Sequence, residues 1–131
     1  MAQLHILLVE DNDGDVIITK ELLKGSRYTT ELHVCPDGAS ALTFLENSGI
    51  TTSPINLIIL DRNLPDLDGF EILAHIRESS KMVQLPVFMF TSSQYESETF
   101  FEKEYHPDYF IQKPLNINLF DNIISSVLIN C

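Results

Sequence analysis

Four places in the sequence carry side chains suited to one kind of chemistry, and each closes an apolar run. Glu10-Asp11 follows Ile6-Leu7-Leu8-Val9, Asp61 follows Leu57-Ile58-Ile59-Leu60, Thr91 follows Val87-Phe88-Met89-Phe90, and Lys113-Pro114 comes just after Tyr109-Phe110-Ile111. Carboxylates brought together resist joint ionisation, so three sharing one site call for a cation to neutralise them. A hard divalent ion with oxygen ligands fits, Mg²⁺ first and Mn²⁺ as its alternative. A lysine adds a point charge for a phosphoryl oxygen, and a threonine hydroxyl donates a hydrogen bond to another. The set as a whole reads as a site for phosphate chemistry. Taken singly, each residue has a plainer reading. Asp11 could cap a helix, a lysine before proline is commonly solvated, and Thr91-Ser92-Ser93 could be a helix-starting turn. Asp61 is harder to dismiss, because charges are scarce beside so apolar a run.

The elements that would bring these residues together follow from the hydrophobic pattern. Five short apolar runs are expected to be strands: Leu4 to Val9, Glu31 to Cys35, Ile55 to Leu60, Pro86 to Phe90 and Tyr109 to Ile111. Three of them are continuously apolar, as strands covered on both faces are. The run at Glu31 alternates, with Leu32 and Val34 against Glu31, His33 and Cys35, which suits an edge strand. Helices are expected from about Asp15 to Lys24, Gly38 to Asn47 and Phe70 to Arg77. A last helix carries a stripe of Leu119, Phe120, Ile123, Ile124, Val127 and Leu128, with Asn116 or Asn118 as cap. Alternation of strand and helix implies an α/β domain with a parallel sheet, right-handed crossovers and helices on both faces. In such sheets ligands bind outside the carboxyl ends of the strands. That is where the four chemical groups fall.

The chain has 131 residues, with 19 Asp and Glu against 8 Lys and Arg and a formal net charge of -11. One domain spanning 1–131 is expected, long enough to bury a core without staples. The acidic balance argues against nucleic-acid or anionic-membrane partners, which need a basic face. No run approaches a transmembrane length and no signal core opens the chain, so a cytoplasmic protein is expected. Cys35 and Cys131 form no C-x-x-C pair and fit a reduced compartment.

Together, Val9-Glu10-Asp11-Asn12, Leu60-Asp61-Arg62-Asn63-Leu64-Pro65 with Asp68-Gly69, Thr91-Ser92 and Lys113-Pro114 resemble the receiver domain of two-component response regulators over essentially the whole chain. Asp15 and the loop before the third strand resemble the single-domain regulators paired with bacterial phytochrome kinases. The resemblance implies a flavodoxin-like (βα)5 fold with strand order 2-1-3-4-5. It implies that Asp61 accepts a phosphoryl group from a phosphohistidine of a sensor histidine kinase or a histidine phosphotransfer protein. Glu10, Asp11, Asp61 and the Asn63 carbonyl would hold Mg²⁺. Lys113, before a cis bond to Pro114, and Thr91 would contact the phosphoryl group, and Phe110 would move inward as the switch aromatic. Asn63 and Ser93 occupy positions that tune dephosphorylation.

Some residues depart from the family pattern. Phe110 lacks the commoner tyrosine hydroxyl, and His106-Pro107 stands where Gly-Ala is frequent. Arg62 is a charge where many members are apolar, expected either to face the kinase or, by preference, to neutralise the acid cluster. No output domain is expected, so output would be by association: relay, target binding, or a homodimer through the face of the fourth helix, fifth strand and fifth helix, with Phe100, Phe101 and Tyr105 on it. Enzymatic turnover is not expected beyond self-phosphorylation and autodephosphorylation. A haloacid-dehalogenase-like phosphatase would want a second Asp and a Thr where Asn63 and Pro65 stand, leaving no general acid. A flavodoxin-like nucleotide binder would want a glycine-rich loop after the first strand. A receiver-like domain that is never phosphorylated would have no use for an intact acceptor, Thr and Lys.

Overall fold

The computed structural model describes residues 3–48, 55–80, 82–92 and 104–127. Five strands, β1 (Leu4–Val9), β2 (Thr30–Cys35), β3 (Leu57–Asp61), β4 (Val87–Thr91) and β5 (Tyr109–Gln112), form one sheet in the order β2-β1-β3-β4-β5. All neighbouring pairs are parallel. The continuously apolar runs become β1, β3 and β4, and every residue of β3 and β4 is buried. That is the consequence of covering both faces of a parallel sheet. β2 lies at the edge, as its alternation predicts, but the better-buried face is the one carrying Cys35, while Val34 is exposed.

The described helices are α1 (Asp13–Leu23), α2 (Gly38–Ser48), α3 (Gly69–Glu78) and α4 (Ile117–Val127). The core divides at the sheet. Leu7, Val9, Ile58, Leu60 and Met89 pack with Ile72, Leu73 and Ile76 of α3 on one side. Ile6, Leu8, Ile59, Phe88 and Phe90 pack with Phe120, Ile123 and Ile124 of α4 on the other. Leu119, expected in the apolar stripe of that last helix, is 48% exposed. The buried side of that helix instead extends to Asp121. Asn116 caps α4, its Oδ1 accepting from the Leu119 N–H at 3.0 Å.

The helix expected between the fourth and fifth strands, with Phe100 and Phe101, lies outside the described residues, as do Ser93, Cys131 and most of the loop before β3. Tyr105 is described and packs against the α3 side of the core. Among the described residues no helix is long and apolar enough to cross a membrane.

Candidate functional site

Parallel pairing and short connections bring the carboxyl ends of β1, β3, β4 and β5 to one rim. Glu10 follows β1 and is pinned there by its N–H donating to the Cys35 carbonyl at 3.0 Å. Asp61 and Thr91 are the last residues of β3 and β4. Lys113 is drawn in by its N–H donating to the Thr91 carbonyl at 2.7 Å, and the Lys113–Pro114 peptide bond is cis.

Asp11 does not cap the first helix. Asn12 does, its Oδ1 accepting from the Asp15 N–H at 2.9 Å, which leaves the exposed Asp11 carboxylate free to face the rim. Behind the acceptor strand, α3 starts on a capping box of Asp68 and Glu71. Gly69 permits this close approach, since a Cβ there would lie 2.8 Å from the Asp61 carbonyl oxygen and 3.0 Å from the Arg62 Cα. The backbone that carries Asp61 is thereby clamped.

The side chains converge tightly. Glu10, Asp61 and Thr91 are buried at 2%, 5% and 3% exposure. Lys113 Nζ stands 2.6 Å from Glu10 Oε1, 3.0 Å from Asp15 Oδ2 and 3.6 Å from Asp61 Oδ2. Burial, then a hydrogen bond and charge repulsion from Glu10, push the Asp61 carboxyl up to about 7, against the opposing pull of Lys113 and the Asn63 N–H. The same carboxylates outweigh desolvation at Lys113 and hold its ammonium above the ordinary lysine range. One ammonium therefore serves several carboxylates.

A cation fits this arrangement on two observations. Glu10, Asp11 and Asp61 each offer an oxygen within 4.8 Å of the others. Glu10 Oε1, buried, has Lys113 close by but no hydrogen bond of proper geometry. All the donors are oxygens, which suits Mg²⁺ or Mn²⁺ rather than a softer metal.

The other expected residues fall as follows. Asn63 is exposed at the mouth, its N–H donating to Asp61 Oδ1 at 3.3 Å, and it bridges to Asp68. Phe110 is half-buried with its ring 6.2 Å from that of Phe70. Arg62 does not pair with the acid cluster. Its Nε lies 3.5 Å from the Asp68 carboxylate and its guanidinium lies over the Phe70 ring at 4.9 Å, so the preference for the acid cluster is corrected. The helix cap offers a nearer carboxylate together with an aromatic face. Asp15 gains a role that its spacing alone did not assign, a direct contact to Lys113 across the rim.

The response regulator receiver domain model matches residues 6–125. The chain belongs to the response regulator receiver family. It is 39% identical over 114 residues to Response regulator Rcp1 of Synechocystis sp., covering 86% of this chain and 78% of that protein. A solved form of Rcp1 is Mn²⁺-bound and superposes with a TM-score of 0.74 at 35% identity, over 92% of this chain and 91% of the other. The bacteriophytochrome response regulator RtBRR matches with a TM-score of 0.84 and 32% identity, over 97% of this chain and 79% of that one. The phosphorylated cyanobacterial phytochrome response regulator RcpA matches with a TM-score of 0.80 and 30% identity, over 99% and 97% of the two chains. This receiver domain is thus similar to regulators of phytochrome signalling, and it is a two-component response regulator in fold and in family.

Proposed function

We propose that this receiver domain takes a phosphoryl group onto Asp61 from the phosphohistidine of a phytochrome-type sensor kinase or a histidine phosphotransfer protein, in the cytoplasm. The observation that carries the reading is the clustering of Glu10, Asp15 and Asp61 around a single ammonium, Lys113 Nζ, at the carboxyl end of the sheet. In the transfer an Asp61 oxygen bonds to phosphorus as the phosphorus–nitrogen bond to the donor imidazole, protonated on its other ring nitrogen, breaks, leaving an acyl phosphate on the receiver and a neutral histidine on the donor.

Burial and Glu10 push the Asp61 carboxyl up to about 7, so that without a cation its ionised, nucleophilic form is disfavoured. Glu10, Asp11, Asp61 and the Asn63 carbonyl would hold Mg²⁺, or Mn²⁺ as in Rcp1, and the bound ion supplies positive charge to carboxylates and phosphoryl oxygens alike. Lys113 then turns from Glu10 and Asp15 to a phosphoryl oxygen, and the Thr91 hydroxyl donates to another. Movement of Thr91 and Phe110 would transmit the change. Beside Lys113 lies a hollow of about 250 Å³ lined by Asp15, Ile18, Thr19, Phe90 and Pro114. With Ile17 and Ile18 exposed on α1, it offers apolar footing for the donor protein next to the acceptor.

Incubation with acetyl phosphate and Mg²⁺ followed by intact-mass measurement tests the reading. One added phosphoryl group is expected on the wild-type chain and none on Asp61→Asn. Equal uptake by both would place the acceptor elsewhere. Lys113→Ala is expected to keep metal binding and to lose the chemical-shift response to beryllofluoride.

A further inference from the structure

A second cluster of ligating side chains lies at the other end of the strands, outside the acid site. His5, near the start of β1, is in register with Glu31 of the edge strand β2, and His33 follows two residues later on the same face. One ligand atom of each lies within 4.8 Å of the others. His5 Nδ1 is 3.2 Å from Glu31 Oε2 and 3.4 Å from His33 Nε2. With bonds of 2.0 to 2.1 Å, two ligands on a tetrahedral cation stand about 3.3 Å apart, the separation found here for both pairs. The nitrogen pair is long for an N–H···N hydrogen bond. We propose that His5, Glu31 and His33 form a binding site for a borderline divalent transition metal, Zn²⁺ foremost, clasping β2 to β1.

The surroundings support a built site. The His5 backbone is fixed by its N–H donating to Asn56 Oδ1 at 2.8 Å, and the His33 ring is braced by Phe44 with centroids 5.6 Å apart. The His5 side chain is only 15% exposed while Glu31 is 48% exposed, so the imidazole is sheltered and the carboxylate side remains open for entry and for a water ligand. Two imidazoles and one carboxylate select against Mg²⁺, whereas the all-oxygen cluster of Glu10, Asp11 and Asp61 selects for it. The two sites therefore separate by metal chemistry. The zinc-type site does not depend on the phosphoryl-transfer reading.

The test is calorimetric titration of tag-free full chain with Zn²⁺ in excess Mg²⁺, which fills the acid site. One Zn²⁺ per chain is expected, with affinity unchanged in Asp61→Asn and at least ~10-fold weaker in His33→Gln. Glu31→Gln, an isosteric change at a side chain 48% exposed, is expected to weaken it by ~10-fold. X-ray absorption on the Zn²⁺ form is expected to show two imidazole scatterers. No Zn²⁺ binding over Mg²⁺, binding indifferent to both His33→Gln and Glu31→Gln, or binding lost in Asp61→Asn would each overturn the proposal.

Discussion

Two buried carboxylates, Asp61 and Asp121, are almost equally hidden, at 5% and 8% exposure, and differ in how they are satisfied. Asp121 on α4 accepts from the Ser26 hydroxyl at 2.5 Å and from the Arg27 N–H at 3.0 Å. Its own carbonyl accepts from Arg27 Nη2 at 3.2 Å and from the Ser125 hydroxyl at 3.0 Å. This network ties α4 to the turn after α1. Asp61 has a long contact of 3.3 Å from the Asn63 N–H, shares Lys113 with two other carboxylates, and is crowded by Glu10. A buried charge with a complete set of donors fastens a structure. One left short of donors stores a demand that a cation and a phosphoryl group can meet.

Exchanging the two residues' functions by mutation is the strongest way to break this contrast. Asp61→Asn is expected to abolish phosphoryl uptake and to stabilise the metal-free fold by about 1–3 kcal/mol, because it removes a charge that burial and Glu10 both oppose. Asp121→Ala is expected to cost about 2–4 kcal/mol, since it leaves the Ser26 hydroxyl and the Arg27 N–H without their acceptor. The protein that remains folded should still take up phosphate. Urea titrations read the stabilities and intact mass reads the uptake. A destabilised Asp61→Asn, or a neutral Asp121→Ala, would mean that the two carboxylates are not of different kinds.

The pH dependence sharpens the same contrast. Asp61 has a folded value of about 7, raised from 3.8. Between those limits the folded chain holds a proton that the unfolded chain releases. The stability this group contributes is therefore full below about 4 and is lost as pH rises through about 7. The metal-free wild type should lose stability relative to Asp61→Asn over that window, by denaturation measured at closely spaced pH values. Saturating Mg²⁺ should cancel or reverse the trend, since it binds the ionised form. A difference between the two proteins that is flat from pH 4 to 7 would remove Asp61 from its strained role.

The legible parts of the molecule are those set by local pattern. Continuous apolar runs marked β1, β3 and β4, and the side chains placed just after them met at one rim because parallel strands end together. Asp121 was not legible, although a charge in the apolar stripe of the last helix was the available signal. Its partners, Ser26 and Arg27, lie 95 and 94 residues away in the chain. The partner of Arg62 is hidden from the sequence for a related reason. The nearest carboxylate is set by how α3 swings back on Gly69, which adjacency to Asp61 does not reveal. His33 reads only as part of an alternating edge strand and His5 only as a member of the run Leu4 to Val9, since their meeting depends on the register between β1 and β2.

Asp11 and Asn12 repeat the contrast at its smallest scale, between neighbours in sequence. Asn12 accepts the Asp15 N–H on its side-chain oxygen at the start of α1, whereas Asp11 lies exposed with a carboxylate oxygen in reach of Glu10 and Asp61. Asn12→Ala removes a cap and is expected to cost about 1 kcal/mol while leaving Mg²⁺ affinity within a few-fold. Asp11→Asn removes a ligand and not a bond of the fold. Its stability without metal is expected to stay within ~0.5 kcal/mol of wild type, while Mg²⁺ affinity falls by ~10-fold or more. Fluorescence or chemical-shift titration with Mg²⁺, paired with thermal melts in chelator, separates the two. If Asn12→Ala lost the metal and Asp11→Asn lost the stability, the cap and the ligand would have been assigned to the wrong neighbours, and the acid site would have to be rebuilt from Glu10 and Asp61 alone.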